Sequence, residues 1–130
     1  MKGSKRKKRG QRYRENVNTL KAMYREVNSP DRNLPATFLE EFNDKLAALY
    51  ALHVQFVLED YYHIILPHLV SAIDQCCKID VLKQYLALKA LNESLGAVLN
   101  SSRRFILEKG GTIAEIELVL ESSSTRYLED

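Results

Sequence analysis

Tyr13, Val17, Leu20, Tyr24 and Val27 recur at steps of 4, 3, 4 and 3. At about 100° per residue they fall within an arc of about 80°, the apolar seam of an amphipathic helix over roughly residues 11–28. The same spacing returns later in the chain, so the sequence predicts an all-α fold: a compact, single-domain bundle of five or six helices. A chain of 130 residues can bury about two thirds of its unfolded surface in one core. Hydrophobic residues make up 45% and charged residues 28%, which suits an ordinary globular body and removes any need for a metal or disulfide staple.

Backbone breakers divide the pattern. In "SPDRNLP", residues 29–35, Pro30 and Pro35 donate no backbone hydrogen bond and restrict the residues before them, which ends the first helix. "TFLE" then offers a capping box, with Thr37 as N-cap and Glu40 as its reciprocal partner. The second helix is expected over 37–66 and at the centre of the bundle. Its first half is amphipathic through Phe38, Phe42, Leu46 and Leu49, and its second half is apolar in nearly every direction. Pro67 is expected to kink or break it, with a short helix over 68–78 beyond.

Asp80 reads as the N-cap of a fourth helix whose seam is Val81, Tyr85, Leu88, Leu95 and Leu99. Asn92 stands at the remaining seam position and is read as facing solvent on a slightly rotated helix. "SSRRFILEKGG" continues or restarts the helix, and Gly110 and Gly111, with Lys109 before them, terminate it. "TIAE" is a second capping-box pattern, opening a final helix of about ten residues. The organisation expected is a flexible basic arm over 1–10, a helical domain over 11–122 and a frayed tail over 123–130.

Charge supplies the sharpest functional lead. Up to Glu26 there are ten basic residues against two acidic ones, a surplus of +8, whereas the remainder carries nine basic and fifteen acidic residues, a surplus of −6. A basic end on an acidic body favours polyanionic partners. The candidate nucleic-acid contacts are Lys5, Arg6, Lys7, Lys8, Arg9, Arg12, Arg14, Lys21 and Arg25. Measured from Tyr13, Arg14, Lys21 and Arg25 fall near about 100°, 80° and 120°, one cationic flank that could follow phosphates without reading bases. The run "KRKKR" reads equally as a nuclear-import address.

Other constellations carry less. Glu59, Asp60 and His63 share a helix face, but His53 and His68 do not join them, and neither a second Glu-x-x-His nor a Cys-x-x-Cys is present. No metal or cofactor is therefore expected. Asp60 falls inside the arc of Phe42, Leu49, Phe56 and Ile64, where a carboxylate needs a partner, such as a tyrosine hydroxyl, Arg103 or Arg104. Cys76 and Cys77 are adjacent, so a bridge between them would strain the intervening peptide. The longest apolar stretch, "LAALYALHVQFVL", is interrupted by His53 and Gln55 and falls short of the ~20 residues that span a bilayer. Tyr13 and Tyr24 lie on the seam and are read as packing residues rather than base-stacking ones.

The function expected is that of a non-enzymatic, nucleic-acid-associated helical protein in an intracellular, nuclear location. It would contact RNA or DNA backbones through the basic arm and flank. The alternative is a helical adaptor or assembly domain, a homo-oligomer included, that binds an acidic or helical protein partner. Under that reading the arm is a nuclear localisation signal, and a charge at Leu88 or Leu95 abolishes binding unless it unfolds the domain.

Overall fold

A computed structural model describes residues 2–129, with side chains from residue 10 onward other than those of Cys77 and Val81. Five α-helices follow in order, α1 (Lys2–Val27), α2 (Ala36–Phe56), α3 (Glu59–Lys78), α4 (Val81–Glu108) and α5 (Ile113–Glu121), and a 3-10 turn (Thr125–Leu128) closes the chain. Among the described residues there is no strand. The all-α bundle predicted from the periodicity is the fold. α1 begins at Lys2, ahead of the start expected at residue 11.

α2 is the central element: it packs on α1, α4, α5 and the C-terminal turn, while α3 lies against both α1 and α4. Phe42, Leu46, Leu49 and Leu52 of α2 are wholly buried, together with Leu20 of α1, Tyr62 of α3 and Leu95 of α4. Each such side chain contributes about 1.5–3 kcal/mol through removal from water. Leu20 and Val27, read as seam residues of the first helix, are in this core, and Tyr13, Val17 and Tyr24 are half-buried beside it.

The long second helix predicted over 37–66 is two helices. The break falls at Val57 and Leu58, where Val57 adopts a left-handed conformation with φ 52° and its amide still donates to the His53 carbonyl at 2.8 Å. Beyond it, Leu58, Tyr62, Leu66, Leu69, Ile73 and Cys76 are buried at steps of 4, 4, 3, 4 and 3. On one uninterrupted helix Tyr62 would lie about 200° from Phe42. Two seams of different phase therefore look, when read as one helix, like a segment apolar all round. Glu59 and Asp60 in the first turn of α3 favour a new N-terminus there.

Pro67 neither ends nor interrupts α3. It removes one amide donor, but both Pro67 and His63, whose carbonyl loses that donor, are exposed, so water can take the vacant acceptor. Thr37 is not an N-cap either. Pro35 holds that position and Thr37 lies inside the first turn of α2, so the predicted capping box does not form. Asp80 stands at the N-cap of α4 but makes no side-chain capping bond.

The second capping box is present: Thr112 Oγ1 accepts from the Glu115 amide at 3.1 Å, and Glu115 Oε1 accepts from the Thr112 amide at 2.9 Å. Before it, Gly110 takes φ 98°, a conformation side chains resist, which turns the chain out of α4. A methyl group on Gly111 would stand 2.5 Å from Ile106 Cγ2. The closing segment, read as a fraying tail, is instead docked. Leu128 is completely buried, Tyr127 stacks on Tyr50 of α2 with ring centres 6.0 Å apart, and the Tyr24 hydroxyl donates to Glu129 Oε1 at 3.3 Å.

Candidate nucleic-acid interface

α1 has two sides in the bundle. One packs on α3, where buried Asn16 donates from Nδ2 to the Glu59 carbonyl at 3.0 Å and buried Met23 lines a crevice with Val70 and Ile73. The other faces α2 and the C-terminal turn. Arg14 and Arg25 are exposed on α1 and Lys21 is half-buried, with Lys21 lining a shallow depression shared with Tyr50, Arg126, Tyr127 and Glu129. The depression has a volume of about 470 Å³. These positions keep the narrow angular spread expected for the flank.

Arg12 does not belong to this flank. It projects about 160° from Arg14 around α1, and Arg12 Nη1 meets Asp60 Oδ1 of α3 at 3.2 Å. That pair also corrects the reading of Asp60, whose side chain is 75% exposed rather than buried among apolar residues. The break at Val57 resets the helical phase and turns Asp60 outward. Its partner is Arg12 and not a tyrosine, Arg103 or Arg104. The side chains of Lys5, Arg6, Lys7, Lys8 and Arg9 lie outside the described residues.

The C-terminal turn contributes residues that periodicity did not reveal. Arg126 and Tyr127 are exposed beside Lys21, and Tyr127 lies nearly parallel to Tyr50, at 8°. The sequence signal was short: "RY" followed by Leu128, an apolar anchor for an otherwise polar tail. Burial raises the Tyr24 hydroxyl above its ordinary value, and the neighbouring Glu129 carboxylate adds to the rise. Tyr24 therefore stays protonated and donates to Glu129.

Next to the flank, the aromatic seam continues inward. His53 is fully buried between Tyr13 and Tyr62, at ring-centre distances of 4.8 and 5.1 Å. Its Nε2 approaches the Tyr13 carbonyl at 3.3 Å, whereas Nδ1 is buried without a partner among the described residues. Desolvation pushes the imidazole pKa down, with the Tyr13 carbonyl opposing in part. The neutral tautomer carrying its proton on Nε2 satisfies this geometry. Tyr62 donates to the Leu49 carbonyl at 3.3 Å and meets Ser102 Oγ at 3.1 Å, and burial drives its hydroxyl pKa up. These are packing groups held neutral.

Among the described residues no three His, Cys, Asp or Glu side chains are grouped as a metal site requires. His63 Nδ1 lies 3.9 Å from Glu15 Oε2 across the α1 and α3 contact. Cys76 is buried in α3, and the side chain of Cys77 lies outside the described residues. No described helix is long and apolar enough to cross a membrane.

A second concavity, about 480 Å³, opens between the start of α2 and the middle of α4 and is lined by Phe38, Glu41, Lys45, Tyr85, Leu88 and Asn92 among others. Asn92, read as facing solvent, is 9% exposed and bonds across to two charged side chains of α2: Nδ2 donates to Glu41 Oε2 at 3.4 Å, and Oδ1 accepts from Lys45 Nζ at 3.5 Å. Beside it Leu82, Tyr85 and Leu86 are 87%, 71% and 67% exposed. Leu88 and Leu95, the positions named for partner contact, are buried in the core instead. Comparison with protein-family models, curated proteins and solved structures returns no match to this chain.

Proposed function

We propose that this is a non-enzymatic, nucleic-acid-associated protein that holds the phosphate backbone along the outer flank of α1. The observation that carries the reading is the cationic row of Arg14, Lys21 and Arg25 on one side of α1, extended by Arg126 from the C-terminal turn. A row of this kind neutralises successive phosphates and gains affinity from released counterions, with little dependence on base sequence. Lys5 to Arg9, which precede the row in the chain, would add further phosphate contacts. Arg12, engaged with Asp60, is left out of it.

The test is a fluorescence-anisotropy titration of labelled RNA and DNA at several salt concentrations. It compares the full chain with a variant carrying Arg14→Gln, Lys21→Gln and Arg25→Gln, and with a chain lacking residues 1–10. Binding with a steep negative salt slope that flattens in both altered proteins supports the reading. Absence of binding at low salt refutes it.

A second reading is favoured by the exposed Leu82, Tyr85 and Leu86 beside the α2 and α4 concavity. They would seat a partner helix, and "KRKKR" would then serve as a nuclear-import address. Because Leu88 and Leu95 are core residues, the informative substitution is Leu86→Glu, which leaves the core intact. Under this reading it abolishes partner binding without loss of helical content.

A further inference from the structure

We infer that the depression formed by Lys21, Tyr50, Arg126 and Tyr127 is a stacking seat for an unpaired base, so the preferred ligand of this flank is single-stranded nucleic acid. The inference rests on the nucleic-acid reading above and specifies its ligand. Two observations carry it. Tyr127 keeps 54% of its surface exposed although one side of its ring lies on Tyr50, 6.0 Å away and nearly parallel. The ring is thus held in one orientation by its stacking on Tyr50. Leu128, immediately after it, is completely buried and fixes the backbone that carries it.

The second observation is the company this ring keeps. Lys21 and Arg126 border the same depression, so a strand whose base lies on Tyr127 presents its flanking phosphates to cations on either element. A base in a duplex is covered above and below by its neighbours and cannot use the seat, whereas an unpaired base can, whatever its identity. Glu129 also lines the depression, and its Oε1 accepts from the Tyr24 hydroxyl at 3.3 Å. Of the charged residues that line the depression, two are cations, Lys21 and Arg126, and one is a carboxylate. Neither tyrosine lies in a period that marks a binding face, so only the docking of the C-terminal turn on α2 brings them together.

The experiment uses the full chain and three labelled ligands of equal length: oligothymidylate, a strand whose interior nucleotides are abasic, and a duplex, each at two salt concentrations. Oligothymidylate is expected to bind about tenfold more tightly than the abasic strand, in keeping with one stacked base. Tyr127→Ala should erase that difference and leave the salt slope unchanged, while Tyr127→Phe should preserve it. Circular dichroism checks that both variants keep their helical content. Equal binding of base-bearing and abasic strands by the unaltered chain overturns the inference, and so does a duplex that binds better than the single strand. In either case the nucleic-acid reading survives. If none of the three ligands binds at low salt, that reading fails and the inference falls with it.

Discussion

Arg12 and Asp60 meet at 3.2 Å across the contact between α1 and α3, with side chains 46% and 75% exposed. Through this pair, one of the cations nearest the basic cluster faces away from Arg14, Lys21 and Arg25. A list of basic residues is therefore not a surface. The direction each takes around α1, and the element waiting there, decide which can act together.

Arg12→Gln is accordingly expected to leave nucleic-acid affinity and its salt slope nearly unchanged. An exposed pair of this kind contributes little, so thermal stability should fall by less than about 1 kcal/mol. Arg25→Gln, by contrast, should reduce the slope by about 0.7–0.9, one phosphate contact. Salt-dependent titrations of the two variants side by side check both expectations, and an equal loss of slope in each would refute the division of α1 into two sides.

His53 gives the bundle a pH dependence with a definite sign. Its folded pKa is lowered from the ordinary 6.5 by burial, so between the two values the unfolded chain binds more protons than the folded one. His53 places no penalty on the fold above pH 6.5. Stability is lost as pH falls from there, and the loss is complete once pH is below the lowered folded value. Urea midpoints measured across that window should drop with acid. In His53→Phe, which keeps an aromatic ring between Tyr13 and Tyr62, the drop should be smaller.

Val57 and Gly110 both have positive φ, at 52° and 98°, but only one of them is glycine. A β-branched side chain in the left-handed region is strained, and Val57 is 47% exposed, so little packing is lost on truncation. Val57→Gly should therefore stabilise the protein by about 1 kcal/mol. Gly110→Ala should destabilise it by about 1 kcal/mol, since a side chain is introduced where glycine is favoured. Chemical denaturation of the two variants gives shifts of opposite direction if the backbone is as described.

The C-terminal turn is a structural part and not a dangling tail. Leu128→Ala should cost about 2–5 kcal/mol, the range for a fully buried leucine. Removal of residues 124–130 should cost at least as much and expose Tyr50. A truncated protein with an unchanged melting temperature would contradict the docking of Leu128.

The helical class, the seam of α1, the end of α4 at Gly110 and the capping box at Thr112 and Glu115 are all legible in the order of residues along the chain. Each depends on neighbours within one turn or on the freedom of a single residue. Periodicity also placed Arg14, Lys21 and Arg25 on one flank, because direction around a helix follows from residue number. It failed between Leu52 and Ile65, where the seams of α2 and α3 differ in phase and their sum resembles one helix apolar on all sides. The break at Val57, at a residue whose own preference opposes the conformation, comes from long-range packing and not from local pattern. The packing of α3 on α1 and α4 repays that cost through the burial of Tyr62 and Leu66. The same holds for Asp60, Asn92 and the pair of Tyr50 and Tyr127. Their surroundings are set by residues 48, 51 and 77 positions away in the chain, a separation that no local pattern encodes.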